Sequence, residues 1–188
     1  MDVPVECARR RFTADEYMRM GEVGILGEDE HVELIRGEIL TMSPIGPRHS
    51  AFVANLTRLL VVALGERATV WIQSTVRLFP DTMPEPDLAL LRQRRRAYRE
   101  AHPAPEDIAL VIEVAETSLA YDRGTKLALY AAAGIPECWV VDAAAEAIEV
   151  YREPREPRYQ QVTRLTGPGT VSPLAFPDVV LRLPDVFA

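Results

Sequence analysis

The pattern of apolar and polar residues near the N-terminus predicts a short helix followed by a β-hairpin. The T-x-x-E sequence beginning at Thr13 is a capping box, which marks the start of a helix. The next segment, HVELIRGEILTMSP, alternates apolar and polar residues on both sides of Arg36-Gly37. This alternation predicts two short antiparallel strands joined by a tight turn at that dipeptide.

The most regular helical pattern lies between His49 and Leu64, where apolar residues recur every three or four positions and Gly65 supplies a stop. The segment that follows, TVWIQSTVRLF at 69–79, is rich in β-branched and aromatic residues. Such residues are enriched in strands, so this segment predicts one long strand.

Two short segments, 86–91 (PDLALL) and 108–115 (IALVIEVA), are almost wholly apolar, which is typical of strands buried on both faces of a sheet. Residues 121–133 have helical spacing, and the strand ECWVVD at 137–142 follows them. A strand–helix–strand order predicts a right-handed crossover between parallel neighbours. We therefore predict an α/β fold with a central mixed β-sheet, flanked by this helix and by helix 49–64.

The C-terminal part predicts a hairpin, AIEVYRE and RYQQVTRL, around the proline-bearing turn EPREP, and then a last strand in VVLRL. The sequence shows no internal repeat, low-complexity tract or interdomain linker. A length of 188 residues fits one domain, so residues 1–188 are predicted to form a single one.

The net charge of −7 argues against a protein that coats nucleic acid nonspecifically, since such binding depends on lysine and arginine. A local basic segment exists between Arg92 and Arg99, with the sequence RQRRRAYR. It is interpreted as a solvated surface segment, with phosphate contact as the alternative. Cys7 and Cys138 lie in no metal-binding motif and are expected to be reduced thiols. Without a signal peptide or a membrane-spanning run, a cytoplasmic location is expected.

Asp87 and Glu113 stand out because each interrupts a strand that is otherwise predicted to be buried. A buried ionised carboxylate requires a cation, a hydrogen-bond donor or a proton. Two such charges about 4 Å apart repel by roughly 4 kcal/mol at an effective dielectric near 20. A bound Mg²⁺ or Mn²⁺ would remove that repulsion. In the alternative interpretation, Asp87 ends a turn and Glu113 pairs with an arginine.

Lys126 is the third candidate, and it lies one helical turn after Asp122 on the helix that follows the Glu113 strand. One interpretation is an Asp122–Lys126 ion pair on the helix surface, worth about 0.3–0.5 kcal/mol. The other places the Lys126 ammonium over the acidic pair, where it can orient or activate a water and stabilise negative charge.

The chain resembles the PD-(D/E)xK nuclease superfamily at Pro86-Asp87 and at Glu113, 26 residues later. The segments VELIRGEI, PDLALL and LVIEVAETSLAYDRGTKLALYAAAGIPECWVVD together resemble the Uma-two family of restriction-endonuclease-like proteins. This resemblance extends from Phe12 to about Leu183. It implies a restriction-endonuclease-like fold and Mg²⁺-dependent hydrolysis of DNA, with Mn²⁺ as an alternative cofactor.

The resemblance also implies roles for individual residues. Asp87 and Glu113 would bind the metal, with the backbone carbonyl of Val114 as an additional ligand. The sequence departs from the superfamily pattern at Ala115, where a lysine is expected. The resemblance implies that the lysine has moved to the following helix, which makes Lys126 the candidate.

Three further polar residues are candidate supporting residues. Glu33 matches a recurrent family glutamate and would bind the metal or orient a water, although an exposed hairpin glutamate is the alternative. Gln73 is either a hydrogen-bonding partner of the site or a satisfied core amide. His49 either touches a phosphate or simply begins a helix, and Tyr130 is interpreted as a core aromatic on the helical face of Lys126.

Cutting both DNA strands would require two sites, which favours a homodimer. Two other functions remain open: a nuclease-like binding or structural module without turnover, and a metal-dependent hydrolase of another phosphate ester. The nuclease hypothesis predicts that the side chains of Asp87, Glu113 and Lys126 converge and that a positively charged groove leads to them. An acidic surrounding would leave the metal site supported but would remove most of the support for DNA as the substrate.

Overall fold

The computed structural model describes residues 8–27, 29–94 and 98–188. Helix α1 (Ala14–Glu22) begins at the predicted capping box, in which Thr13 and Glu16 exchange side-chain-to-backbone hydrogen bonds. The predicted hairpin is also confirmed: β1 (Val32–Ile35) and β2 (Glu38–Thr41) pair in antiparallel register.

Helix α2 (Pro47–Leu64) confirms the most regular helical pattern of the sequence. Its N-cap is Gly46, and it ends at Gly65, whose backbone N–H donates to the carbonyl of Val61. One face of α2 is buried against the central sheet and contributes five side chains to the core: Phe52, Val53, Leu56, Leu60 and Leu64.

The central sheet contains six strands in the order β3-β4-β5-β6-β7-β8. They are β3 (Ala68–Ile72), β4 (Leu88–Arg92), β5 (Ile108–Ala115), β6 (Glu137–Asp142), β7 (Ala147–Arg155) and β8 (Arg158–Thr166). Only β5 and β6 are parallel, so the sheet is mixed, as predicted. The predicted C-terminal hairpin is confirmed as β7 and β8, which extend the same sheet.

The predicted strand over 69–79 is wrong beyond Ile72. Gln73 has a φ of 39°, and the Ser74 hydroxyl donates to the carbonyl of Ile72, so the backbone turns out of the sheet. Val76 and Leu78 are nevertheless buried beneath the loop that follows. Their apolar character therefore reflects burial of a loop and not a strand.

The crossover between β5 and β6 is helical, although it is less regular than predicted. It consists of α3 (Leu119–Tyr121), a π-helical turn (Asp122–Lys126) and α4 (Leu127–Ala132). π-helical turns are rare and occur frequently at functional sites. The turn places Lys126 at its last position, directly before α4.

The two faces of the sheet bury different sets of side chains. Ile112 and Val114 of β5 point toward α2, whereas Val111 and Ala115 belong to the cluster that packs against α4. Because successive side chains of a strand point to opposite faces, Glu113 lies on the α4 side together with Ala115. The helix that carries Lys126 covers this side of the sheet.

The remaining C-terminal elements form a second, two-stranded sheet of β9 (Thr170–Val171) and β10 (Leu181–Arg182), followed by α5 (Leu183–Val186). The last predicted strand, VVLRL, is thus only two residues long. Glu137 ties the segment before α5 to the central sheet, since its carboxylate binds Arg152 and accepts from the backbone of Leu174.

The arginine-rich segment lies at the end of β4 that is remote from Asp87. Arg92 pairs with Ala68, and Arg94 forms an ion pair with the buried Asp107. Arg95 and Arg96 are outside the described residues, as is Cys7, whereas Cys138 is a buried free thiol. No helix in the described part of the chain has the length and hydropathy to span a membrane.

Candidate metal-dependent active site

Asp87 and Glu113 meet because β4 and β5 are antiparallel neighbours. Leu88 pairs with Ile112, so Asp87 and Glu113 are the next residues along the two strands. The backbone N–H of Asp87 lies 3.5 Å from Glu113 Oε2. Both acids line one cleft of about 560 Å³. The structure thus brings together the two carboxylates that the sequence singled out.

Lys126 reaches this pair from the end of the π-helical turn. Its Nζ lies 3.2 Å from Glu113 Oε1 and 3.0 Å from Glu33 Oε1, and its side chain is buried. Ala115, where the superfamily pattern expects a lysine, is buried on the same face of β5 as Glu113. The Lys126 ammonium therefore lies beside Glu113, the acid next to which the superfamily pattern places a lysine at position 115.

Lys126 does not form the helix-surface ion pair with Asp122 that was the alternative interpretation. The Asp122 carboxylate instead accepts a hydrogen bond of 2.5 Å from the hydroxyl of Ser118. Burial opposes the charge of Lys126, but the Glu113 and Glu33 carboxylates outweigh it and raise the pKa of its ammonium. Lys126 consequently remains a cation and a hydrogen-bond donor, and it does not accept a proton as a general base.

Glu113 has its two carboxylate oxygens in different surroundings. Oε1 faces the Lys126 ammonium and accepts a 2.5 Å hydrogen bond from the hydroxyl of Tyr130. Oε2 faces the backbone of Asp87. Burial raises the pKa of Glu113 to about 8, with Lys126 opposing and the Asp87 charge adding to the shift. Since Oε1 is engaged twice, Oε2 is the oxygen that can bind a cation.

Asp87 is held in a similar way. Its Oδ2 accepts a 2.8 Å hydrogen bond from the backbone N–H of Val114 and lies 3.0 Å from Nε2 of His49 in the first turn of α2. The contact with Asp87 raises the pKa of His49. These contacts leave Oδ1 as the oxygen that can bind a cation. His49 thus contacts a candidate metal ligand and does more than begin the helix.

Glu33 is buried, with 1% exposure, so the interpretation as an exposed hairpin glutamate is wrong. Its Oε1 faces Lys126 and also accepts a 2.8 Å hydrogen bond from the backbone of Glu85. Glu33 and Glu113 therefore flank one ammonium from opposite sides. Glu33 positions Lys126 through Oε1, while its buried Oε2 has no hydrogen-bond partner among the described residues and is the oxygen that can bind a cation.

Glu33→Gln is expected to lower metal-dependent turnover more than it lowers metal affinity, because it removes the charge that holds Lys126 and leaves Asp87 and Glu113 in place. Calorimetric titration with Mn²⁺ measures the affinity, and a cleavage time course measures the turnover. Partly exposed Glu38 on the neighbouring strand provides the matched control, Glu38→Gln. An equal loss of affinity and turnover would instead make Glu33 a ligand.

Sequence reasoning missed several residues of the cleft. Tyr130 was interpreted as a core aromatic, and it is fully buried, but its hydroxyl contacts Glu113. The backbone carbonyl oxygen of Glu85 lies 3.5 Å from Lys126 Nζ. Gln73, by contrast, is one of the predicted supporting residues: it lines the cleft, and its backbone N–H donates to the carbonyl of Asp87. The four-residue spacing of Lys126 and Tyr130 was the one sequence signal that connected Tyr130 with the site.

The donors of the cleft fit a hard divalent cation. Mg²⁺ keeps several waters and is commonly held by one or two carboxylates, which matches Asp87 Oδ1 and Glu113 Oε2. Val114 also lines the cleft. In the described ranges, no group of three or more His, Cys, Asp or Glu side chains is arranged as a complete metal cage. The arrangement therefore fits a water-rich magnesium site better than a zinc site.

The comparisons with known proteins identify the family and the fold. A model of the Uma2 (Uma-two) family, described as "Putative restriction endonuclease", matches residues 14–184. The chain belongs to the Uma2 family. A crystal structure of "a putative nuclease belonging to DUF820" from Anabaena variabilis has the same fold, with a TM-score of 0.73 and 19% identity over 94% of this chain and 97% of that chain.

A relative of this Uma2 protein is the uncharacterized protein sll1609 of Synechocystis sp. The two are 26% identical over 161 residues, which cover 83% of this chain and 88% of the relative. The family and the α/β fold with its mixed central sheet are thus as the sequence predicted.

The cleft is acidic and lacks the positive charge that the nuclease hypothesis predicts, so its lining supports a metal site more strongly than it supports DNA as the substrate. Six carboxylates line the cleft of this Uma2 protein: Glu33, Glu85, Asp87, Glu113, Glu116 and Asp122. Among the described residues that line the cleft, the basic ones are Lys126, His31 and His49, and none is an arginine. A polyanionic substrate therefore needs a cation in the cleft and a separate path of approach.

Proposed function

We propose that this Uma2 protein is a metal-dependent endonuclease that hydrolyses phosphodiester bonds of DNA, with Mg²⁺ as its cofactor and Mn²⁺ as a substitute. The observation that carries the proposal is the position of Lys126. Its Nζ lies 3.2 Å from Glu113 Oε1 even though Ala115 replaces the lysine of the superfamily pattern. The family and the fold support DNA as the substrate.

The residues of the cleft have distinct roles in this proposal. Asp87 and Glu113 would hold the cation through Oδ1 and Oε2, with the carbonyl of Val114 as an additional ligand. When bound, the cation supplies a more acidic water and neutralises charge on the phosphate. Lys126 keeps its proton, and it would exchange its 3.5 Å contact with the Glu85 carbonyl for a hydrogen bond to the attacking water or to a phosphate oxygen. Tyr130 and His49 fix the orientations of the two acids.

A homodimer is part of the proposal, since hydrolysis of both strands of a duplex by one kind of site is simplest with two copies. A second candidate is a metal-dependent hydrolase of a smaller phosphate ester. The acidic lining of the cleft favours it, because such a substrate needs no extended basic surface. The two candidates share the metal ligands and differ only in substrate.

A cleavage assay separates these functions. Duplex DNA, single-stranded DNA and a small phosphodiester such as bis(p-nitrophenyl) phosphate are each incubated with Mg²⁺, Mn²⁺ or a chelator. The proposal predicts cleavage of DNA that requires the metal. Hydrolysis of the small ester alone would favour the second candidate, and no hydrolysis of any substrate would favour a module without turnover.

The metal is also expected to stabilise the protein more strongly at higher pH. The pKa of Glu113 is raised from 4.5 to about 8, so the folded protein keeps a proton that the unfolded chain has released. The free energy of unfolding of the metal-free protein should therefore fall as the pH rises from about 4.5 to 8. Lys126 does not contribute to this pH dependence of stability, because its pKa is raised from 10.5 and the ammonium is therefore protonated in both the folded and the unfolded chain below pH 8.

At low pH, Mg²⁺ must displace the proton of Glu113 in order to bind, whereas above pH 8 that proton is already lost. The increase in Tm that Mg²⁺ produces should therefore be larger at pH 8.5 than at pH 6. Differential scanning fluorimetry across this range measures the effect. Glu113→Gln, which cannot ionise, should lose the part of the pH dependence that comes from Glu113 and keep only the part that comes from His49, whose pKa is raised by its contact with Asp87. A shift that is independent of pH in the wild type would contradict the proposed role of Glu113.

A further inference from the structure

Three buried side-chain atoms have no hydrogen-bond partner in the described part of the chain: Glu33 Oε2, His49 Nδ1 and the Tyr121 hydroxyl. All three residues line the cleft that contains Asp87 and Glu113. Buried polar atoms of proteins are usually hydrogen-bonded, and an unpaired one lowers stability. Their concentration in one cleft indicates that a ligand of the cleft supplies their partners.

The Tyr121 hydroxyl is a hydrogen-bond donor that no described acid of the cleft uses. The Ser118 hydroxyl, by contrast, donates to Asp122. The Tyr130 hydroxyl likewise donates to Glu113. Burial raises the pKa of Tyr121 to about 12, so its hydroxyl keeps its proton at neutral pH. It is therefore a neutral donor that can bind an anionic oxygen.

The π-helical turn explains how Tyr121 and Lys126 come to line the same cleft. Tyr121 directly precedes the turn, and Lys126 is its last residue. In a regular α-helix, residues five positions apart lie about 140° apart around the axis and face different directions. The turn instead has a hydrogen bond that spans five residues, from the backbone N–H of Leu127 to the carbonyl of Asp122. Both side chains consequently face the cleft.

The Tyr121 hydroxyl lies close to the ion pair of Glu33 and Lys126. Burial has the largest effect on the pKa of Tyr121, the Glu33 charge raises it further, and the Lys126 charge lowers it. Neither of these groups is hydrogen-bonded to the hydroxyl. Tyr121 and Lys126 thus supply one neutral and one charged donor to the same part of the cleft. A phosphate group can accept hydrogen bonds from both, because it has more than one nonbridging oxygen.

We propose that Tyr121 is a catalytic residue whose hydroxyl donates a hydrogen bond to a nonbridging oxygen of the scissile phosphate, beside Lys126. The proposal rests on the proposed function and names a further side chain that contacts the substrate. A neutral donor is useful at this position, because the six carboxylates of the cleft repel an anion. A hydrogen bond that is preorganised for the phosphate stabilises the negative charge that develops on it during hydrolysis.

An ordered water is the rival partner of this hydroxyl, since buried waters commonly bond polar atoms that the protein leaves unpaired. The two partners predict different effects of Tyr121→Phe on the free protein. If the hydroxyl is bonded only when substrate is present, its removal should leave the Tm unchanged or raise it. If it is bonded to a structural water, its removal should lower the Tm.

Binding of inorganic phosphate to the Mg²⁺-loaded protein tests the contact without turnover, and isothermal titration calorimetry measures the affinity. Tyr121→Phe should bind phosphate about 10- to 100-fold more weakly than the wild type, the usual effect of losing a hydrogen bond to a charged group. Its affinity for Mg²⁺ alone should not change. Tyr159→Phe is the matched control, because Tyr159 is buried and its hydroxyl donates to the carbonyl of Ile135, outside the cleft. The control should lower the Tm and leave phosphate affinity unchanged.

Hydrolysis of bis(p-nitrophenyl) phosphate separates the possible failures. Tyr121→Phe should lower kcat by about 100-fold, whereas Tyr159→Phe should keep the wild-type rate. If no protein hydrolyses any substrate but phosphate binding still depends on Tyr121, the proposed function fails and the phosphate contact stands. If Tyr121→Phe binds phosphate as tightly as the wild type, or if the Mg²⁺-loaded wild type binds no phosphate, the contact is overturned, whether or not DNA is cleaved. A lowered Tm of Tyr121→Phe with unchanged phosphate affinity would assign the hydroxyl to a structural water.

Discussion

Lys126→Met is expected to reduce metal-dependent DNA cleavage by about 100- to 1,000-fold, the usual cost of removing one preorganised charge-stabilising donor. Methionine nearly matches the length of the lysine side chain but carries no charge. The variant therefore removes the ammonium that lies between Glu33 and Glu113, with little change in volume. Single-turnover rates at saturating Mg²⁺ measure the chemical step without a contribution from product release.

Two controls accompany this variant. Lys126→Arg keeps a positive charge and should retain part of the activity. The remaining loss of activity would reflect the different shape and hydrogen-bond directions of the guanidinium. Thermal unfolding shows whether each variant is folded, because removal of one partner from a buried ion pair can cost about 3–5 kcal/mol. A folded Lys126→Met protein that cleaves at the wild-type rate would exclude Lys126 from the chemistry.

Asp87→Ala is expected to weaken Mn²⁺ binding by more than about 100-fold. Mutation of a residue that only hydrogen-bonds to a metal ligand typically lowers metal affinity by about 10- to 100-fold, and removal of a ligand itself should cost more. The variant should also lose cleavage. Asp87 supplies Oδ1 to the cleft and is fixed by Val114 and His49, so no other side chain replaces it. Isothermal titration calorimetry measures the affinity directly.

Asp122→Asn is the matched control for this experiment. Asp122 is a buried acid of the same cleft, but its carboxylate is bonded to the hydroxyl of Ser118 and is not a proposed ligand. Its substitution should leave Mn²⁺ affinity close to that of the wild type. Equal losses in the two variants would mean that the cleft attracts the cation only through its total negative charge.

The parts of the fold that sequence predicted well are those in which one physical constraint dominates. β5 was predicted to run over 108–115 and does so, because all eight of its residues are buried on both faces of the sheet. The strand over 69–79 was predicted too long, since burial of a loop produces the same apolar pattern as a strand at Val76 and Leu78. Local periodicity cannot separate these two causes.

The candidate site was predictable in its residue types but not in its contacts. Asp87, Glu113 and Lys126 were identified because each is a charged residue in an apolar or family-specific context. The role of Glu33 depends on the hairpin packing over the π-helical turn, which is a long-range contact that no local pattern encodes. The hydroxyl of Tyr130 was missed for a related reason, since a buried aromatic residue usually belongs to the core.

The acidic cleft was the largest departure from expectation. The net charge of −7 is a property of the whole chain, and it did not indicate the six carboxylates around the site. Charges that are far apart in sequence meet only after the sheet has formed. The distribution of charge in space, rather than its sum, therefore carries the information about substrate.

The central claim is that one divalent cation binds between Asp87 and Glu113, beside Lys126. Anomalous diffraction from crystals soaked in Mn²⁺ tests it most directly. The predicted result is a single peak at about 2.0–2.2 Å from Asp87 Oδ1 and Glu113 Oε2, with the Lys126 ammonium on the opposite oxygen of Glu113. A peak at Glu33 and Glu85 with none between Asp87 and Glu113, or no peak at saturating Mn²⁺, would contradict it.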